Sequence, residues 1–359
     1  MKKLPVDTCA NLAAALRRSY PARHSLFLVF GKCSIEVRLS NRSLLDKLSK
    51  YFKPFVSGRA QADILITVHQ TGVDFDASYT IKTPDPGKTK IKEEYVDLPD
   101  GRIVRKRLTG MHFIFDGQNN LAVGPCLEND NQVVNFINNR FIEWKLKQGC
   151  LLGHAAGVMH RGQGLALAGF SGMGKSTLAL HLMSRGTCFI SNDRLLIERK
   201  NNRCQMTGVA KLPRVNPGTV LHNKDLGSVI PTAERRRFTQ LAADKLWALE
   251  HKFDADIEEC FGPGRFVLNA TMGGLVVLNW QRDQGPVLAN RVNLAERPDL
   301  LPAFMKETGL FYLPKGDEPR NFPAASYLEL LRDVTVIELS GGIDFDRAAD
   351  ICMDFLEIG

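Results

Sequence analysis

The chain has 359 residues, of which 44% are hydrophobic and 24% charged, with a formal net charge of +8. This length predicts two domains, since one domain usually holds roughly 100–200 residues, and the apolar content excludes a largely disordered chain. The positive excess fits an anionic ligand, but without aromatic–basic interleaving we expect no DNA partner. No run of about 20 apolar residues predicts a membrane span. The eight cysteines show no C-x-x-C spacing, which excludes zinc ribbons and favours a cytoplasmic protein.

The N-terminal region predicts an α+β domain, which we place at residues 1–130. Apolar alternation predicts two strands over 25–39 and a third over 62–68, and the leucine spacing predicts a helix over 44–52. Residues 71–90 lack periodicity and contain Pro84, Pro86 and Gly87, so they predict a loop. Short strands follow near 103–107, 112–115 and 120–123. Basic residues in the first of these strands and beside it are interpreted as a solvated face: Arg102, Arg105, Lys106 and Arg107.

The remainder, residues 131–359, predicts an α/β domain in which strands and helices alternate. A helix is expected over 133–149, ended by Gly149. Strong strand candidates are 273–280 and 334–339, and a terminal helix is expected over 345–358.

A phosphate-binding motif lies near the middle of the chain. The segment GFSGMGKST at 169–177 fits the Walker A pattern, between the apolar strand 164–169 and an amphipathic helix at 176–186. Its glycines allow main-chain N–H groups to surround phosphate oxygens, and the helix N-terminus adds a partial positive charge. Lys175 supplies a cation for the β- and γ-phosphates, and the Ser176 hydroxyl can ligate Mg²⁺.

A nucleotide site also needs a carboxylate for Mg²⁺ or for proton transfer. The strand GGLVVLNW ends in Asn279 and Trp280, without an acid, whereas TCFISND at 187–193 ends in Asp193. A strand–loop–helix–strand unit brings the ends of its two strands to one edge of a sheet, so we expect Asp193 to face the γ-phosphate. The alternative is a turn or capping Asp, because Ser-Asn-Asp is also turn chemistry.

Residues 153–199 resemble the core of the HPr kinase/phosphorylase family, and the similarity is greatest to the group called HprK-related kinase B. The resemblance is carried by a His-containing strand before the loop, by the loop itself, and by a strand that ends in a polar-acidic pair. The Pro-Arg segment KLPRVNPGT at 211–219 adds to it. The resemblance implies a P-loop kinase domain akin to phosphoenolpyruvate carboxykinase, preceded here by the smaller α+β domain. It also implies ATP, Mg²⁺ and phosphoryl transfer to a hydroxyl.

The implied site residues follow position by position. Those expected at the nucleotide are Gly169, Ser171, Gly172, Met173, Gly174, Lys175, Ser176 and Thr177. Those expected at the metal are Ser176, Asp193 and Asn192. Asp193 matches the general base, while Asn192 departs from the family, which usually has Asp there. An Asn carbonyl can ligate Mg²⁺ but cannot accept a proton.

Two further residues are candidates for catalysis, each with a structural alternative. His154 can orient phosphate or the acid, or it is a satisfied structural histidine. Arg214 can stabilise charge on the transferring phosphoryl group, or it is a surface arginine in a Pro-rich loop. The run Arg235–Arg237 fits a solvated helix face better than a grip for an acidic partner.

The expected function is therefore an ATP- and Mg²⁺-dependent kinase. Its acceptor is a protein Ser or Thr, or a small hydroxylated molecule, and the sequence does not choose between them. Analogy with the family adds a possible homo-oligomer. The alternative from another class is a non-catalytic nucleotide-binding regulatory module, which Asn192 favours.

Overall fold

A computed structural model describes residues 3–84, 89–314, 316 and 321–358. The chain divides into two compact units: the first comprises Met1–Trp144 with Thr308–Arg320, and the second Lys145–Glu307 with Asn321–Gly359. The mixed α/β class expected from the sequence is confirmed, with several sheets. The domain boundary placed at residue 130 falls at the first residue of a helix, most of which belongs to the first unit. Within the described ranges, no helix is both long and apolar enough to cross a membrane.

The first unit contains the following helices and strands, in chain order: β1 (Lys3–Pro5), α1 (Cys9–Ser19), β2 (His24–Phe30), β3 (Cys33–Leu39), α2 (Arg42–Tyr51), β4 (Ile64–Gln70), β5 (Asp74–Asp76), β6 (Thr80–Ile81), β7 (Glu93–Leu98), β8 (Gly101–Lys106), β9 (Met111–Phe115), β10 (Asn120–Gly124) and α3 (Asp130–Leu146).

A mixed sheet in the order β2-β3-β4-β10-β9-β8-β7-β6 forms the body of the first unit. Helix α1 begins where the Thr8 hydroxyl caps the Asn11 amide, and it buries Leu12 and Leu16 against Ile103 and Ile114 of the sheet. The predicted strands and both predicted helices in this region are confirmed. The loop expected over 71–90 is partly wrong, because β5 and β6 lie within it; Pro86 and Gly87 lie outside the described residues.

The second unit contains β11 (Leu151–Gly153), β12 (Ala155–His160), β13 (Gln163–Gly169), α4 (Lys175–Ser184), β14 (Cys188–Ser191), β15 (Leu195–Lys200), β16 (Arg203–Gly208), β17 (Arg214–Val215), α5 (Pro217–Leu221), α6 (Thr232–Thr239), α7 (Ala243–Ala248), β18 (Phe253–Asp254), α8 (Ile257–Phe261), β19 (Asn269–Leu278), β20 (Val287–Arg291), α9 (Ala324–Leu331), β21 (Thr335–Gly341) and α10 (Phe345–Ile358).

Its main sheet runs β11-β15-β16-β19-β13-β12-β14, with β21 beside β19 and β20 beside β21. Strand β19 is parallel to both β13 and β21, and β12 is antiparallel to both β13 and β14. The carboxyl ends of β13, β14, β19 and β21 therefore lie at one edge of the sheet, together with the amino end of β12. This edge carries the candidate site.

Both faces of the sheet are buried, as the apolar strand β13 predicts. Leu165 and Leu167 pack with α4 and α10 on one face, and Ala166 and Ala168 face a second cluster that includes Phe304. Because side chains alternate along a strand, the phosphate loop that follows Gly169 is anchored by two cores at once.

Candidate phosphate site

The phosphate loop lies between the end of β13 and the start of α4. Gly172 and Gly174 both have φ of +87°, a left-handed conformation that favours glycine, and Gly174 is the N-cap of α4. A Cβ on Gly169 would approach Leu278 Cβ to 3.1 Å, so this glycine allows the loop to leave the sheet beside β19. The loop has the strand before it and the helix after it that the sequence predicted.

Lys175 lies within the loop rather than in solvent. Its Nζ donates to the Gly169 carbonyl oxygen at 2.6 Å and lies 3.4 Å from that of Phe170, and the residue is only 9% exposed. Burial lowers the pKa of Lys175, whereas the charge of Asp193 acts to raise it. Lys175, the first residue of α4, thus places a buried cation at the N-terminus of this helix.

Two aromatic side chains, Trp280 and Phe345, contact the backbone of the phosphate loop. Trp280 follows β19 and donates its Nε1–H to the Met173 carbonyl oxygen at 2.9 Å. Phe345, the first residue of α10, packs edge-on against Trp280, with ring centroids 5.3 Å apart. A Cβ on Gly174 would lie 2.6 Å from Phe345 Cζ, so the ring rests directly on the loop backbone. From the sequence, Trp280 was interpreted only as the end of a strand that lacks an acid. Its hydrogen bond to the phosphate loop was not predicted.

His154 and Asp193 meet at the same edge of the sheet. His154 lies between β11 and β12, and Asp193 lies two residues after β14. The His154 Nε2 atom is 3.0 Å from Asp193 Oδ1. The phosphate loop, His154 and Asp193 therefore lie at one edge of the sheet. Asp193 is close enough to Lys175 for its charge to act on the pKa of the lysine.

Lys306 adds a cation that the sequence did not predict. Its Nζ lies 3.7 Å from Asp193 Oδ2, so each carboxylate oxygen has a positively charged or hydrogen-bonding neighbour. Burial acts to raise the pKa of Asp193, but the His154 hydrogen bond and the Lys306 charge outweigh it and hold that pKa well below its usual range. Asp193, whose side chain is half-exposed, is therefore ionised at neutral pH.

The position of Lys306 is fixed by backbone contacts. Met305 forms an antiparallel bridge with Gly153, and the His154 N–H donates to the Phe304 carbonyl oxygen at 2.5 Å. The neighbouring Tyr327 hydroxyl donates to Leu152 O at 2.7 Å. His154 and Lys306 are thus attached to two chain segments that are joined beside Asp193.

Lys211 is a second basic residue that the sequence did not single out. It lies three residues after the β15–β16 ladder, which ends with Leu195 opposite Gly208. Asp193 is close enough for its charge to act on the pKa of Lys211, which it tends to raise. Burial, together with the charges of Arg194 and Arg214, lowers the pKa of Lys211 to about 8.

The expected metal ligands lie at the start of α4, where Ser176 is the second residue, and directly after β14, where Asn192 and Asp193 follow the strand. The Oδ1 atom of Asn192 is buried and has no hydrogen-bond partner, and Asp193 is an ionised carboxylate. Among the described residues, no group of three or more His, Cys, Asp or Glu side chains could hold a metal by itself. The donors present fit Mg²⁺ carried on nucleotide phosphates, which needs only one or two protein oxygens.

The other residues singled out in the sequence lie in β17, α4 and α6. Arg214, in β17, is half-exposed and lies 3.5 Å from Asp254 of β18. The Thr177 hydroxyl is 3.0 Å from that of Thr219 in α5, which ties the segment after Arg214 to the phosphate-loop helix. Arg236 and Arg237 are exposed on α6, and Arg235 donates to the Gly227 carbonyl oxygen.

Comparison with solved structures gives a distant structural similarity. No protein-family model matches the chain, and no curated protein matches it. The solved structure of the Hpr(Ser) kinase/phosphatase from Coxiella burnetii is similar over 58% of this chain and 94% of that chain, with 11% identity and a TM-score of 0.29. Similarity at this level is a distant structural relationship only.

Proposed function

We propose that this chain is an ATP- and Mg²⁺-dependent kinase that transfers the γ-phosphoryl group to a hydroxyl. The observation that carries the proposal is the convergence, at one sheet edge, of a left-handed glycine loop, the buried cation Lys175 and the ionised Asp193. Loop amides and Lys175 suit the β- and γ-phosphates, and the α4 N-terminus adds its partial charge.

In this proposal, Ser176 and Asp193 hold the metal, with the Asn192 carbonyl oxygen beside them. Bound Mg²⁺ supplies neutralisation of charge between the β- and γ-phosphates. Asp193 also orients the acceptor hydroxyl and takes its proton, while His154 holds the carboxylate through Oδ1. Arg214, which lies 3.5 Å from Asp254, is the candidate for stabilising charge on the transferring phosphoryl group. The acceptor itself is a protein Ser or Thr, or a small hydroxylated molecule.

The test separates binding from transfer. Calorimetry with ATP and Mg²⁺ should give binding to the wild-type protein and a loss of about tenfold or more for Lys175→Met, since a charge-assisted contact is removed. Incubation with γ-labelled ATP and a lysate of the source cell should label an acceptor, and Asp193→Asn should abolish that label. Absence of nucleotide binding to the wild-type protein would refute the proposal.

A second candidate is a nucleotide-binding regulatory module without transfer activity. It is favoured by Asn192 at the position of an expected acid and by the low pKa of Asp193, which makes that carboxylate a weak base. This candidate predicts tight ATP retention, with no label in any acceptor and no dependence of turnover on Asp193.

A further inference from the structure

We propose that Lys306 is a second phosphate-binding residue, which contacts the terminal phosphate of bound ATP across the site from Lys175. This inference rests on the proposed function of the site. Lys306 lies shortly after the short helix Leu301–Ala303, in a segment that carries no phosphate-binding motif.

The backbone that leads into Lys306 is fixed in position. The bridge between Gly153 and Met305 and the hydrogen bond from His154 N–H to Phe304 O hold the two residues immediately before Lys306. Phe304 is fully buried in the core of the second unit, so this backbone is anchored rather than free to drift. The Lys306 side chain therefore starts from a fixed backbone position beside Asp193, as a binding residue requires.

The charge around Lys306 also favours a phosphate ligand. Lys306 lies 3.7 Å from Asp193 Oδ2, a distance longer than the 3.0 Å contact between His154 and Oδ1. Asp193 is thus shared between His154 and Lys306 and supplies only one negative charge. A terminal phosphate at the loop would bring further negative charge to the Lys306 ammonium group.

The ammonium group of Lys306 can change its orientation. Its Nζ lies 3.7 Å from Asp193 Oδ2, which is longer than a charge-assisted hydrogen bond, and the flexible lysine side chain can turn it from the carboxylate toward a phosphate. Such a move leaves Asp193 Oδ2 available when nucleotide arrives. The same lysine would then bind the phosphate and release the carboxylate.

The experiment compares ATP with ADP, because only ATP carries the terminal phosphate. By calorimetry, Lys306→Gln should weaken ATP binding by about tenfold or more, the usual effect of losing a charged hydrogen bond, and change ADP binding by less than about twofold. Lys306→Arg should keep ATP affinity within about threefold of wild type, since the charge remains. Thermal shift by ATP, measured on the same proteins, gives a second readout without turnover.

A matched control is Lys200→Gln. Lys200 is exposed at the end of β15 that lies away from Asp193, where it pairs with Arg203 of β16. The substitution therefore removes one positive charge from the same sheet at a position outside the site. Equal weakening of ATP and ADP by Lys306→Gln would assign Lys306 a structural role and overturn the inference, as would unchanged ATP binding. If wild type binds ATP and transfers phosphate while Lys306→Gln binds ATP normally, the inference alone fails. If wild type binds no nucleotide, the proposed function fails with it.

Discussion

Two glycines of the phosphate loop share a backbone conformation but differ in their surroundings. Gly172 and Gly174 both have φ of +87°, yet a Cβ on Gly172 would meet nothing within 4 Å, whereas one on Gly174 would lie 2.6 and 2.7 Å from two atoms of the Phe345 ring. The pair of substitutions Gly172→Ala and Gly174→Ala therefore separates backbone strain from steric overlap. Any gain from a stiffer unfolded chain is the same for both and cancels.

The expected magnitudes follow from these contacts. Left-handed strain costs an alanine about 1–2 kcal/mol, so Gly172→Ala should lower the free energy of unfolding by that amount. Gly174→Ala carries the same strain and adds overpacking of about 1–3 kcal/mol, because Phe345 is held between the loop and Trp280 and has little room to move.

Urea unfolding, followed by circular dichroism and tryptophan fluorescence, measures the difference between the two variants. Replacing Phe345 with Leu in the Gly174→Ala background should recover part of the overpacking cost, since the Phe345 ring is the group that the new Cβ overlaps. The reasoning is wrong if Gly172→Ala destabilises the protein as much as Gly174→Ala does.

Three other predictions test the loop support, the basic residue Lys211 and the first unit. Trp280→Phe removes the donor to the Met173 carbonyl and should cost about 1 kcal/mol or more, with faster hydrogen exchange in residues 170–174 and unchanged exchange in the first unit. Lys211 has a folded pKa of about 8, below the unfolded 10.5. Its charge therefore destabilises the fold below about pH 8, and stability rises with pH up to the unfolded value. Lys211→Met should stabilise the protein at neutral pH by at most about 3 kcal/mol and by much less near pH 10.5, as read by urea unfolding at both pH values. Arg140→Met should cost about 3–5 kcal/mol, because it leaves Glu143, 2.7 Å away and buried, without its charge partner; adding Glu143→Gln should recover stability.

The phosphate loop could be predicted from the sequence because its chemistry lies in consecutive residues. Asp193 required one step more, the rule that parallel strands joined through a helix end at one edge, and β13 and β14 obey it across the intervening β12. Lys306 could not be found in this way. It reaches the site through the bridge of Met305 to Gly153, and a single bridge far along the chain leaves no periodic signal.

The first unit shows a different reason for failure. Strand β7 was not predicted, because its sequence EEYVDL carries three acids and little apolar alternation. In the structure, Glu93 and Glu94 lie opposite Lys106 and Arg105 of β8, and Arg102 is almost fully buried beside Asp97. The solvated basic face expected from the sequence is therefore wrong in part. A pattern of charges along one strand does not reveal the opposite charges on its neighbour.

The low pKa of Asp193 bears on which residues limit the rate of a phosphoryl transfer here. A carboxylate held by His154 and Lys306 is a weak base, which would be a handicap if the acceptor had to be deprotonated early. Phosphoryl transfer passes through a loose transition state in which little bond to the acceptor has formed, so most of the rate comes from positioning and from cations on the phosphoryl oxygens. The proposed kinase therefore depends less on the basicity of Asp193 than on its geometry. Lys306→Gln should then lower transfer by weakening contact with the phosphate, while Asp193→Asn should lower it by misplacing the acceptor and the metal.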